Sequence, residues 1–245
     1  MIAASQSHRL RQRGISLIIV LVMLLLTSIV VLGVARVSWL NESFVGNTSD
    51  YQRTFAAAEA LMRDAELDIK GVRTDGTPCV NDATYIRCRN AGAGEPFFPI
   101  DDSDIDTIRA IMGGQPCNRG ICVPVALDSL GNEWWKTNLA AMSANALAAN
   151  AVPAVYGQFT RQGAPALGTS SNQLLEGNPR TAWYWVEVFR YELGSAILAP
   201  AGRLPVPDVK HPFVYRITVV AQGRKPDSRV VLRSVFVPNP QNQNK

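Results

Sequence analysis

Histidine and charge are what this sequence has least of. Its 245 residues hold two histidines, His8 and His211, and Asp, Glu, Lys and Arg together make up 18%. A Ser-His-Asp or Cys-His nucleophile would have to recruit His211, which stands in Lys210-His211-Pro212 between two strand-like runs and reads as a surface histidine. No glycine-rich phosphate loop and no His-Glu zinc motif occurs. Acids are missing from residues 1–14, where Arg9, Arg11 and Arg13 stand alone. The formal charge of +4 falls to +1 once those three arginines are set aside, so the pI of about 9.0 carries little information. Basic residues elsewhere are interspersed with acids, without the stripe that a nucleic-acid reader needs. These absences exclude nucleic acid as a partner, leave no enzyme chemistry assembled and point to a structural protein.

What is present is an unbroken apolar run from Ile15 to Ala35, without charge until Arg36. About 21 residues at about 1.5 Å each cross a hydrocarbon core of roughly 30 Å as one helix. The basic residues before it predict a cytoplasmic amino end and an exported body. The run is longer than a secretory h-region, and no small-x-small cleavage site follows it. After the basic stretch 1–14, residues 15–35 are expected to be a transmembrane helix, 36–71 its extension and 72–245 a globular domain outside the inner membrane.

The extension shows in the spacing. Val37, Phe44, Thr48, Tyr51, Phe55, Ala58, Met62, Ala65 and Ile69 recur mostly in steps of three and four, one stripe of a helix. Phe44, Tyr51, Phe55, Ala58, Met62 and Ile69 are the expected packing face. Gln52, Arg53, Glu59, Arg63, Asp64, Glu66 and Lys70 are assigned to the other faces, with Glu59 to Arg63 and Glu66 to Lys70 in the favourable i,i+4 order. Gly71 is a natural stop, while Gly33 and Gly46-Asn47 are weak points. The whole helix would be roughly 55 residues and about 80 Å long.

The order Arg11-Gln12-Arg13-Gly14 followed by Ile15-Ser16-Leu17-Ile18 resembles the type III signal of type IV pilins and pseudopilins. The resemblance implies that a prepilin peptidase cuts between Gly14 and Ile15, that Ile15 is then N-methylated, and that the apolar segment stays in the mature protein. The family pattern is Gly-Phe-Thr-Leu-Ile-Glu, and Ile19 stands where the glutamate should be. Gly46-Asn47, then Phe55-Ala56-Ala57-Ala58-Glu59-Ala60 and Arg63-Asp64-Ala65-Glu66, narrow the resemblance to PilX-type minor pilins, over Arg11 to about Glu66.

Beyond Gly71 the periodicity gives way to turn residues and four cysteines. Cys79, Cys88, Cys117 and Cys122 are an even set in an exported segment and read as two disulfides. Sequential pairing is the cheapest loop closure, although four cysteines permit three connectivities. Neither C-x8-C nor C-x4-C has the spacing of a structural zinc site. Asp102, Asp104 and Asp106 are the metal candidates, for calcium. Their segment lacks the glycine and glutamate of an EF-hand, so acids opening a short helix are the stronger account, with Ile105, Ile108 and Met112 as its apolar face and Gly113-Gly114 as its end. K-type pseudopilins of type II secretion, which also lack the early glutamate, bind calcium, but their ligands do not map onto these positions. No other cofactor is expected.

Glu133-Trp134-Trp135 and the alanine-rich run after it read as a helical patch with core aromatics, and Gly157 to Pro179 as a long surface loop. Trp183 to Leu193, Phe213 to Ala221 and Val230 to Val237 read as strands. Phe213, Tyr215, Ile217 and Val219 share the face expected to meet the amino-terminal helix, and Ala221 to Val230 closes an antiparallel hairpin. The tail Gln241 to Lys245 is expected to fray. The fold class is α+β: a long pilin helix, its first half transmembrane, packed on an antiparallel sheet with disulfide-stapled loops.

The resemblance also implies a role. In pilins the early glutamate answers the charged amino terminus of the subunit above, a pairing that matters because an unpaired charge in the membrane costs about 2.5–3.5 kcal/mol or more. Ile19 cannot make it, and Glu42 lies about 34 Å further along the helix. A subunit with nothing above it needs no such pair. The expectation is a minor pilin that primes type IV pilus assembly with other minor pilins and the major pilin. It would sit in the inner membrane before assembly and at the pilus tip after it. The alternatives are a K-type pseudopilin, or a tip adhesin that binds a surface or receptor through Gly157 to Pro179.

Overall fold

The computed structural model describes residues 15–79, 88–89, 94–123, 152–160, 172–177, 181–191, 207–225 and 228–238. The chain divides into two compact units after Ser49. Helix α1, Ile15–Lys70, contributes Ile15 to Ser49 to the first and Asp50 to Lys70 to the second. It runs through Gly33 and Gly46-Asn47 without a break, since one glycine in a helix costs only about 1 kcal/mol relative to alanine. Its end is fixed at Gly71, whose φ of 64° is left-handed. There the Gly71 N–H donates to the Asp68 carbonyl and the Val72 N–H to the Leu67 carbonyl, the paired bonds of a Schellman stop.

The second unit carries a five-stranded sheet in the order β1-β2-β3-β4-β5. Its strands are β1 (Cys117–Asn118), β2 (Ile121–Cys122), β3 (Ala182–Arg190), β4 (Phe213–Gln222) and β5 (Arg229–Phe236). All neighbours are antiparallel except β2 and β3, which run parallel with Ile121 opposite Val186. The three long strands are β-branched and aromatic, and their period-two pattern sorts side chains onto two faces. Tyr184, Val186, Tyr215, Ile217 and Val219 join Ala57, Ala58, Leu61, Ala65 and Ile69 of α1 in one buried cluster. On the opposite face Trp183, Trp185 and Val220 pack with Cys117, Cys122 and Val155. Strands β1 and β2 were not foreseen: two-residue strands carry no periodicity, and Asn118-Arg119-Gly120 reads only as a turn.

The face that α1 turns inward differs from the expected stripe. Phe44 and Tyr51 are 69% and 53% exposed and Phe55 is also exposed, Met62 is half-buried, and only Ala58 and Ile69 of that set are buried. The buried residues are Asp50, Thr54, Ala57, Ala58, Leu61, Asp64, Ala65, Asp68 and Ile69. They keep a helical repeat, but three are acids and one is a threonine, so a hydropathy pattern assigns them outward. Asp64, expected on a solvent face, is 2% exposed.

The disulfides join Cys79 to Cys88 and Cys117 to Cys122. Helix α2, Asp102–Met112, is capped by Asp101 in a capping box with Asp104 and ends on left-handed Gly113. Ile108 and Met112 are buried in the main cluster and Ile105 packs against it. A four-residue turn, α3, spans Gln173–Glu176. The leader 1–14 with Gly14, the Trp134-Trp135 patch, residues 161–171 and 178–179 of the expected surface loop, and the tail Gln241 to Lys245 lie outside the described residues.

Candidate assembly interface

The first unit presents its apolar side chains to the outside. Leu17 to Leu26 are each at least 48% exposed, Ile19 among them at 53%, and Val30, Val31, Leu32 and Val34 follow suit. The first turn of α1 has no acid. Two hydroxyls lie between Leu17 and Val34, and both are satisfied within the helix: Thr27 Oγ1 and Ser28 Oγ donate to the Leu24 carbonyl at 3.0 and 2.7 Å. That removes the cost of placing bare hydroxyls in hydrocarbon. By length and composition, α1 can cross a membrane, with a mean hydropathy of 3.2 over its most apolar window. Exposed Val37, Trp39, Leu40, Phe44 and Val45 extend the apolar surface past Arg36.

In the second unit three carboxylates bind α1 to the loops around it. Asp50 accepts from the backbone N–H of Arg224 at 3.1 Å and of Lys225 at 3.2 Å. Burial pushes this carboxyl up, but the two backbone donors, the Ser228 side chain and the Lys225 charge together outweigh it and hold Asp50 below the ordinary carboxylate range. Gly223 makes the approach possible, because a Cβ there would overlap the Asp50 carboxylate and the Thr54 hydroxyl. Asp64 accepts from the Gly157 N–H at 2.8 Å and from the Thr160 hydroxyl.

Asp68 receives Arg89 Nε at 2.9 Å on both oxygens and the Tyr184 hydroxyl at 2.8 Å. Burial raises the Asp68 carboxyl, and the Arg89 charge and Tyr184 hydroxyl oppose the rise. Arg89 itself is almost wholly enclosed. It donates to the carbonyls of Pro96 at 3.2 Å and Arg119 at 2.6 Å, and lies 3.6 Å from the Phe159 ring centroid. With one face of α1 bound in this way, Tyr51 and Phe55 remain outside, their ring centroids 6.4 Å apart.

The metal candidates point to separate partners. Asp102 pairs with Arg190 at 2.7 Å and Asp106 with Arg109 at 3.4 Å, while Asp104 accepts from the N–H of Ile100 and Asp101. Among the described residues no three His, Cys, Asp or Glu side chains come together as a metal site. His211 Nδ1 lies 3.1 Å from the Ile100 carbonyl at the start of the α2 segment. Sequence reasoning missed the acid stripe and Arg89. The spacing Asp50, Thr54, Ala57, Leu61, Asp64, Asp68 was the available signal, a helical repeat that disregards polarity.

Residues 13–63 match the family model described as PilX N-terminal, and residues 85–238 match the model described as Type IV pilus assembly protein PilX C-term. No curated protein and no solved structure matches the chain.

Proposed function

The chain belongs to the PilX family of type IV pilus assembly proteins, and from that premise we propose that this minor pilin primes the pilus and stays at or near its tip. The observation that carries the proposal is the start of α1: its first turn holds no acid, and Ile19 follows at the position where pilins resembling this chain carry glutamate. An incoming subunit brings that glutamate to the amino terminus of the subunit above it. This chain has nothing to bring, and the initiating position is the one that makes no such demand.

The processing step belongs to the same proposal. Cleavage between Gly14 and Ile15 frees an amino terminus at the head of α1, methylated on Ile15, so the helix enters the filament with a cation on its first residue. Prepilin peptidase, other minor pilins and the major pilin are the partners, and the membrane holds the subunit before assembly. The subunit contributes surfaces and no reaction. The description of the model matched by residues 85–238 names type IV pilus assembly, which supports the pilus over a type II secretion machine.

The first experiment is the mass and amino-terminal state of the protein from its native membrane. N-methylated Ile15 is expected, and a chain that retains Met1 to Gly14 overturns the pilin role. Ile19→Glu then tests position. A primer confined to the tip gains the missing carboxylate and appears along the shaft by immunogold labelling. An unchanged distribution removes Ile19 as the determinant.

A further inference from the structure

Arg89 gathers several segments of the second unit onto α1. Its guanidinium binds Asp68 of α1, the Pro96 carbonyl and the Arg119 carbonyl of the β1–β2 turn, and it faces Phe159 at 3.6 Å and Phe98 at 5.2 Å. The Arg89 and Asp68 side chains are 4% and 2% exposed. Along the chain the two are 21 residues apart, a long loop for a flexible side chain that must reach one geometry.

The residue directly before Arg89 is Cys88, bonded to Cys79. Cys79 is itself seated at the end of α1: its N–H donates to the Gly71 carbonyl at 2.8 Å, and Val72 bridges Pro78. The disulfide therefore runs from the stop of the helix that carries Asp68 to the neighbour of the cation that Asp68 needs. Cys117–Cys122 is placed differently, closing β1 on β2 in the cluster of Trp183 and Trp185.

We infer that Cys79–Cys88 is a redox clasp on the buried Arg89–Asp68 pair: closing the bond seats the guanidinium, and opening it releases the guanidinium while the sheet stays folded. Closure joins the Cys79 and Cys88 sulfurs. The two thiols give up two protons and two electrons to a disulfide oxidant, which leaves as a dithiol. With the clasp open, Arg89 samples solvent and Asp68 loses the cation that makes its burial tolerable. The hold of the β1–β2 turn and the Pro96 segment on α1 then depends on the redox state of the compartment.

The test uses the full chain in detergent micelles, reading solvent exchange of the Arg89 Nε–H beside the amides of Ile217 and Val219 in β4. In Cys79→Ser/Cys88→Ser, exchange at Arg89 rises by about tenfold or more, the scale of coupling within one buried network, while the β4 amides stay protected. Cys117→Ser/Cys122→Ser, which frees the turn that carries the Arg119 carbonyl, raises exchange at Arg89 less than the first variant does, and an equal or larger rise overturns the inference. If the first variant does not fold, a phosphine reductant is added to folded Cys117→Ser/Cys122→Ser, where Cys79–Cys88 is the one bond left to open; water supplies the phosphine oxide oxygen. Arg89 still protected after the bond is opened overturns the inference. So does simultaneous loss of protection at Arg89 and β4, which would make the bond a support of the whole fold.

Discussion

The Tyr184 hydroxyl donates to the Asp68 carboxylate at 2.8 Å across 116 residues of chain. This bond crosses from the central strand β3 to the last turns of α1. Arg89 completes the site from a third segment. A carboxylate enclosed to this degree is tolerable only with its partners in place.

Removing the cation should therefore cost more than removing the tyrosine hydroxyl. Arg89→Ala strands a buried carboxylate and is expected to lower stability by about 3–5 kcal/mol, whereas Tyr184→Phe removes one hydrogen bond to a charged group at about 1.5–3 kcal/mol. Denaturant midpoints of the two variants check the order. Equal losses would mean that Asp68 is protonated when Arg89 is gone.

Gly223→Ala should push the β4–β5 loop off Asp50, with a loss of about 1–3 kcal/mol for the overlap. Gly71→Ala, strained by its left-handed φ but with open space around the site, should cost less. Loss of protection at the Arg224 and Lys225 amides, followed by hydrogen exchange, identifies the Gly223 effect as local.

Acid should weaken the same latch. The folded-state pKa of Asp50 lies below its unfolded value, so the folded state binds fewer protons. Its contribution is present above the unfolded pKa and disappears as pH falls through the folded one. A stability profile against pH should lose part of its acid limb in Asp50→Asn, and an identical profile would remove Asp50 from the acid response.

At the alkaline end the sign reverses. Burial raises the phenols of Tyr184 and Tyr215 above the ordinary tyrosine value, with nearby carboxylates adding to the effect. Their contribution is complete below the unfolded tyrosine pKa of about 10 and is lost as pH rises toward the folded values. Of the six tyrosines, these two should give no tyrosinate absorbance until the protein unfolds.

The adhesin alternative can be separated from priming by deletion, and the contacts of Asp64 set where to cut. Removing Gly157 to Thr160 would take two donors from Asp64, so the informative deletion is 161–171. Normal pilus number and normal attachment are expected. Loss of attachment with normal pili would establish a tip adhesin, while loss of pili would assign the segment to assembly.

The helix and the three long strands were legible because their periods, about 3.6 and 2, survive in the order of apolar residues. The inward face of α1 was not, because its acids meet partners that come from distant chain. Asp50 is bound by residues 174 and 175 positions away and Asp64 by residues 93 and 96 away. Polarity then points outward while the packing points inward. Arg89 left no trace for the same reason, its partners at Asp68, Pro96 and Arg119 converging only in the fold. The apolar first part of α1 and the Ile19 position needed no folding to be seen.

Asp50 and Asp64 reach much of their surroundings through main-chain N–H groups, at Arg224, Lys225 and Gly157. Every amino acid except proline supplies such a donor. The other residues of the segments they hold can thus change identity without loosening this grip, so long as Gly223 stays small and Gly157, with its left-handed φ of 70°, stays glycine. Sequence drift in those segments therefore leaves the grip beneath them, written in peptide bonds, constant.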